Sequence, residues 1–170
     1  MEKIRYPIGQ FVAKSALSVE ERNKCLQGIS DIAKSLRDVL KDLDHEQLQV
    51  PYRPGGWTSQ QVVHHMADND INAYLRLKRA LTEDEPVASS YREDLFAELS
   101  DYRDVPVQVS IALLESLHTR LVALLRGGSQ NAFNRQFSTQ ALGRISIDTA
   151  LQRFLWHNQH HIAQIASIIK

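Results

Sequence analysis

The chain has 170 residues, 43% of them hydrophobic, and its twenty basic and twenty acidic side chains cancel. That length supports one domain, read as 1–170, and the balanced charge leaves no basic footprint that would recruit nucleic acid or an anionic membrane. Cys25 is the only cysteine, which excludes an internal disulfide, a CxxC redox pair and a thiolate metal cluster, so any metal must be held by histidine or carboxylate.

In chain order, "MEKIRYPIGQFVAK" lacks the apolar stretch of a signal peptide, and no later segment reads as membrane-spanning, so a cytoplasmic protein is expected. Ser18 and Glu21 form a capping box ahead of a first helix on which Leu26, Ile29, Ala33, Leu36 and Leu40 recur at helical spacing. "PYRPGGWT" (51–58) interrupts, and Thr58 with Gln61 makes a second capping box for a helix to about Leu81. The polar, proline-bracketed stretch from Glu83 to Pro106 reads as a long connection, with Ser90 and Glu93 suited to cap a short helix through "EDLFAELS". Pro106 takes a first-turn position for a third helix, and Gly127 with Gly128 supplies a left-handed stop. "RQFSTQALGRISI" is compatible with a small hairpin around Gly143, before Ser146 or Asp148 caps a fourth helix to about Ile169. The expected fold is therefore an all-α four-helix bundle with a long connection between helices 2 and 3 and a small hairpin before helix 4.

The last helix carries "WHNQHHIAQI". His161 lies about 40° round from His157, with Arg153 and Gln164 close by and Phe154, Ile162 and Ile165 on the adjoining apolar face. Residues four apart can bring two imidazoles onto one ion, whereas His160 points about 60° away on the other side and reads as an outer-shell neighbour. An H-x-x-x-H pair also arises on ordinary solvated helix faces, and by itself it leaves that alternative open. Helix 2 repeats the design. His65, Asn72 and Arg76 fall within about 20° of one line beside Val62, Met66 and Leu77, while His64, about 100° round from His65, reads as a rim or packing residue. Such stripes can face each other inside a bundle, where unpaired polar groups are costly and a shared ion would satisfy them.

These motifs, with "YPIG" at 6–9, "QVVHHMAD" at 61–68 and "NAYLRLK" at 72–78, resemble the DinB/YfiT-like superfamily of metal-binding four-helix bundles over nearly the whole chain. The likeness is strongest to its YfiT branch, whose members carry the label of metal-dependent hydrolases. The resemblance implies a ligand histidine eight positions after the tryptophan, which from Trp57 is His65. It also implies an H-x-x-x-H pair ahead of a glutamine, which is His157 and His161 with Gln164 following. Ala163 stands where the wider superfamily often has glycine. A homodimer is implied as well.

Three histidines with an open position are the ligand set of a catalytic rather than a structural zinc, and an all-imidazole site also accepts nickel. The expectation is one divalent ion per subunit. Two nucleophiles are open: water, whose pKa such an ion lowers to about 7, giving hydrolysis; or a low-molecular-weight thiol, giving S-transfer to an electrophile. "HNQHH" lacks the glutamate of H-E-x-x-H proteases, and Asp68 is the one carboxylate near either stripe, which disfavours peptidase chemistry and leans mildly towards a thiol. The resemblance adds bacillithiol-using relatives on that side and the hydrolase label on the other. Arg53, Arg76 and Arg153 are candidates for binding carboxylates of a small-molecule substrate, with surface ion pairing as the alternative, and Asn72 and Tyr52 are weaker candidates. Asp68, His160 and Gln164 are candidate outer-shell groups, and Trp57 and Trp156 read as packing residues. The rival class is a protein that stores or senses metal without turnover.

Overall fold

The structure, a computed structural model, describes residues 2–168, the side chains of Glu2 and Lys3 excepted. Four long helices carry the fold: α1 (Val19–Leu40), α2 (Ser59–Thr82), α3 (Val107–Arg126) and α4 (Ile147–Ala166). Both expected capping boxes form. Ser18 and Glu21 exchange side-chain to backbone bonds at the start of α1, and Thr58 and Gln61 do the same for α2, so each helix start has two of its otherwise unpaired backbone donors satisfied. Ser146, rather than Asp148, caps α4. The expected end at Ile169 lies outside the described residues.

Helices α1 and α2 each pack against both α3 and α4, which places α1 diagonally opposite α2. The connections at 41–58 and 127–146 are long enough to let consecutive helices sit across the bundle, while the still longer one at 83–106 joins the adjacent α2 and α3. Leu36 of α1, Val63 of α2, Leu114 of α3 and Leu151 of α4 are fully buried at the centre. At Gly28 an added Cβ would lie 2.9 Å from Leu155 Cδ1, so the bare backbone lets α4 approach α1 closely.

The hairpin also forms, from β2 (Gln136–Thr139) and β3 (Gly143–Ser146), with Phe137 opposite Ile145. Gly143 turns the chain at φ 64°, a conformation that costs glycine little. A third strand, β1 (Val87–Ala88), pairs parallel with β2. Two residues carry too little alternation for a sequence pattern to register, and pairing with the hairpin is what extends them.

Several boundaries differ from expectation. The short helix Glu93–Phe96 starts without a side-chain cap, so Ser90 does not serve it, and a further turn of helix, Ser100–Asp104, precedes Pro106. Pro106 is the residue before α3, not its first turn, and its φ of −62° still suits that position. Gly127 ends α3 at φ −78°, without a left-handed residue, because its N–H still reaches the Ala123 carbonyl at 3.1 Å. Helix α3 is also long and apolar enough to span a bilayer by length and composition alone, contrary to the sequence reading. Its apolar side, from Val107 through Leu114 to Leu125, packs into the bundle.

Candidate metal centre

"PYRPGGWT" makes a tight turn in which the Gly56 N–H donates to the Arg53 carbonyl at 2.9 Å, with Pro54 second and Gly55 third at φ 68°, the residue order of a type II turn. It delivers Trp57 onto the first turns of α2, where its ring packs 4.6 Å from that of His65.

His65 on α2 faces His157 and His161 on α4. The Nε2 of His157 lies 3.3 Å from that of His65 and 3.2 Å from that of His161, and one ring nitrogen from each falls within 4.8 Å of the others. Nitrogens bound tetrahedrally at 2.0–2.1 Å are about 3.3 Å apart, so this spacing suits three ligands on one ion. All three rings are held neutral, the form that binds metal. Burial pushes His65 down to about 4, and burial followed by mutual proximity holds His157 and His161 well below the ordinary histidine range.

The tautomer of His161 follows from its neighbour. Gln164 Oε1 can only accept, so the 2.8 Å contact requires a proton on His161 Nδ1 and leaves the Nε2 lone pair facing the cluster. The Gln164 amide nitrogen donates to His160 Nε2 at 2.9 Å and to the Arg5 carbonyl at 3.0 Å, which fixes the ligand's orientation from behind, as outer-shell partners do. His160 therefore touches the cluster through Gln164 and stacks on Trp156 at 4.8 Å. His64 is a packing residue, as expected: its Nε2–H donates to the Val105 carbonyl at 3.0 Å and its Nδ1 accepts from the Ser110 hydroxyl at 2.8 Å.

The histidines open onto a cavity of about 260 Å³. The hairpin forms its apolar wall through Phe137, Leu142 and Ile145, and Arg76, Arg153 and Glu93 supply its charged edge. Burial lowers the pKa of both arginines and raises that of Glu93, so these charges sit in a medium where pairing counts for more than in water. Among the described residues neither arginine pairs with a carboxylate within 4.0 Å. Arg76 Nη2 is steadied by the Ser89 carbonyl at 3.0 Å.

Other expected site residues lie elsewhere. Arg53 and Tyr52 line a second recess of about 250 Å³, walled off from the first by Trp57, His160 and His161. Asn72 and Asp68 are absent from the cavity wall: the Asn72 amide donates to the Asp68 carbonyl at 2.8 Å, and the Asp68 carboxylate accepts from the Tyr102 hydroxyl at 2.7 Å. The face of α2 that meets the cavity is rotated from the line through Asn72, and Asn69, one turn after His65, occupies it instead. Its i+4 spacing from His65 matches that of the His157–His161 pair. Glu93, by contrast, comes from the long connection and had no periodic signal to mark it.

Residues 30–165 match the model of the DinB superfamily. The chain belongs to the DinB superfamily. A protein of Bacillus cereus strain 03BB102 named "Putative metal-dependent hydrolase" is 42% identical over all 170 residues of this chain and 98% of its own length, and a Bacillus anthracis protein of the same name matches to the same extent. The fold of this DinB protein superposes on YfiT from Bacillus subtilis with a TM-score of 0.95 at 37% identity, covering 98% of this chain and 95% of that one. YfiT is described as "a probable metal-dependent hydrolase with an unusual four-helix bundle topology".

Proposed function

We propose that this DinB protein is a metal-dependent hydrolase of small anionic molecules, with His65, His157 and His161 holding one divalent cation, zinc in the cell, and Arg76 and Arg153 binding the anionic group of the substrate. The observation that carries this reading is the convergence of three neutral imidazoles on the wall of a cavity whose rim holds two arginines without carboxylate partners. A divalent cation in such a site lowers the pKa of water to about 7 and polarises a carbonyl or phosphoryl oxygen. The chain's own residues do the rest. Gln164 keeps His161 in its binding tautomer, the hairpin excludes bulk water on the apolar side, and the two guanidiniums orient the substrate by paired donors. Glu93, raised by burial, is the carboxylate placed to take up a proton at the cavity edge.

A second reading is favoured by Asp68. With that carboxylate committed to Tyr102, Glu93 is the one carboxylate lining the cavity among the described residues, and a thiol, with an unperturbed pKa near 8.5, needs less help to ionise than water does. On this reading the protein transfers a low-molecular-weight thiol, of the bacillithiol kind, to an electrophile. Zinc-loaded protein assayed with carboxylate-bearing esters and amides in water, and with a thiol plus monochlorobimane, separates the two. Hydrolysis without added thiol supports the first reading, conjugation that requires thiol supports the second, and inactivity in both assays with full metal content leaves a storage or sensing role. Assembly as a homodimer belongs to the same proposal and is checked by sedimentation.

A further inference from the structure

Behind His157 lies a polar cluster that the proposed reaction does not use. Asp70 of α2 is completely buried, accepts from His118 of α3 at 2.7 Å and receives the Asn158 amide of α4 at 3.1 and 3.0 Å. One side chain connects this knot to the histidines: the Asn69 amide nitrogen lies 3.2 Å from Asp70 Oδ1 and 3.2 Å from His157 Nδ1. In that arrangement the amide donates to Nδ1, so the ring proton of His157 sits on Nε2, the nitrogen turned towards His65 and His161.

A ligand imidazole needs the opposite arrangement, since a ring that binds through Nε2 carries its proton on Nδ1 and must donate it to something. Among the described residues Asn69 is the group within reach of that nitrogen, and an amide can present either its nitrogen or its oxygen. Asp70 keeps three contacts from His118 and Asn158 when the amide turns, so the knot tolerates the exchange. We infer that Asn69 is the positioning residue of His157, its amide turning over so that the oxygen accepts from Nδ1–H when the site is loaded and the nitrogen returns to Asp70 when it is empty. This rests on the three-histidine metal reading above. It makes Asn69 the link between site occupancy and the knot that joins α2, α3 and α4.

The test uses zinc affinity by chelator competition, melting temperature, and the ring ¹⁵N shifts of His157 in the native protein. Asn69→Leu, which keeps the volume and removes the acceptor, is expected to weaken zinc binding by about 10–100-fold. Asn69→Asp, which presents oxygen in either orientation, is expected to stay within about threefold of native even where its closeness to Asp70 lowers the melting temperature. In the native protein the His157 proton is expected on Nε2 without zinc and on Nδ1 with it. Native-like affinity in Asn69→Leu, equal weakening in both variants, or a His157 proton already on Nδ1 without zinc would each overturn the inference. The ¹⁵N arm needs no variant to fold. Failure of the native protein itself to bind zinc would refute the metal centre, a different result from native binding that is indifferent to residue 69.

Discussion

The Asp70–His118–Asn158 cluster and the His65–His157–His161 cluster both place polar groups inside an apolar bundle, and they satisfy them in opposite ways. Asp70 meets its partners from two other helices at 2.7 to 3.1 Å, so its charge is answered from within the chain. The histidine cluster has three ring nitrogens facing one another and no acid between them. A buried group with internal partners is architecture, whereas one whose partners are missing is arranged for something from outside.

The sharpest way to break that comparison is to remove ligands. His65→Ala, His157→Ala and His161→Ala are each expected to lose stoichiometric zinc after dialysis, measured by mass spectrometry of the metal, while His64→Ala and His160→Ala keep most of it. Full metal in any of the first three removes that residue from the site, and loss in His64→Ala would move the site towards Ser110.

Next in size is the knot. Asp70→Ala removes one partner of a buried pair and leaves His118 and Asn158 facing a void, which costs about 3 kcal/mol in urea unfolding. Zinc added in excess should still fill the site to one ion per subunit. A variant that folds yet cannot be loaded would mean that the two clusters are one.

The cavity edge should respond less. Arg76→Gln and Arg153→Gln are expected to raise KM for a carboxylate-bearing ester by about 10–100-fold, the value of a charged hydrogen bond of about 1.5–3 kcal/mol, and to leave KM for its neutral analogue and the metal content unchanged. An equal effect on both esters would return these arginines to a structural role, such as the Arg76 bond to Ser89.

The helices and the histidine cluster were legible because both are periodic. The Ser18 and Thr58 boxes mark two helix starts, and 100° steps bring His157 and His161 to one face, while the choice of His65 as their partner is what the family resemblance implied. The same projection held for Arg76 and failed at Asn72, which lies about 60° round the helix from Asn69. Spacing ranks residues around an axis, but it does not say which direction on that axis the neighbouring helix occupies, and packing of α2 against α3 and α4 turned Asn69 inward instead. Glu93, Phe137 and Leu142 were beyond such reasoning, because they reach the cavity from connections whose course is set by the sheet. The knot was hidden for another reason. A lone Asp70 and a lone His118 look like solvated residues until three helices bring them together, and neither carries a motif.

The two clusters also respond to acid with opposite signs, the finest test of the difference between them. In the metal-free protein burial lowers His65 to about 4 and holds His157 and His161 well below the ordinary value of 6.5. As pH falls through 6.5 the unfolded chain takes up protons that the folded chain refuses, so stability drops by up to about 1.4 kcal/mol per pH unit for each such histidine, and for His65 the loss levels off below about 4. Asp70 is raised by burial, so in the acid range above its unfolded value near 3.8 the folded chain is the one that takes the proton, and this contribution favours folding as pH falls. Replacing His65 by Phe should therefore flatten the decline in unfolding free energy between pH 6.5 and 4.5, and Asp70→Asn should not. Saturating zinc, which binds only the neutral imidazoles of the folded chain, should raise the whole curve and move its fall to lower pH. A metal-free protein whose stability is level across that interval would mean that the histidines are solvated as they are in the unfolded chain, and the contrast between the two clusters would disappear.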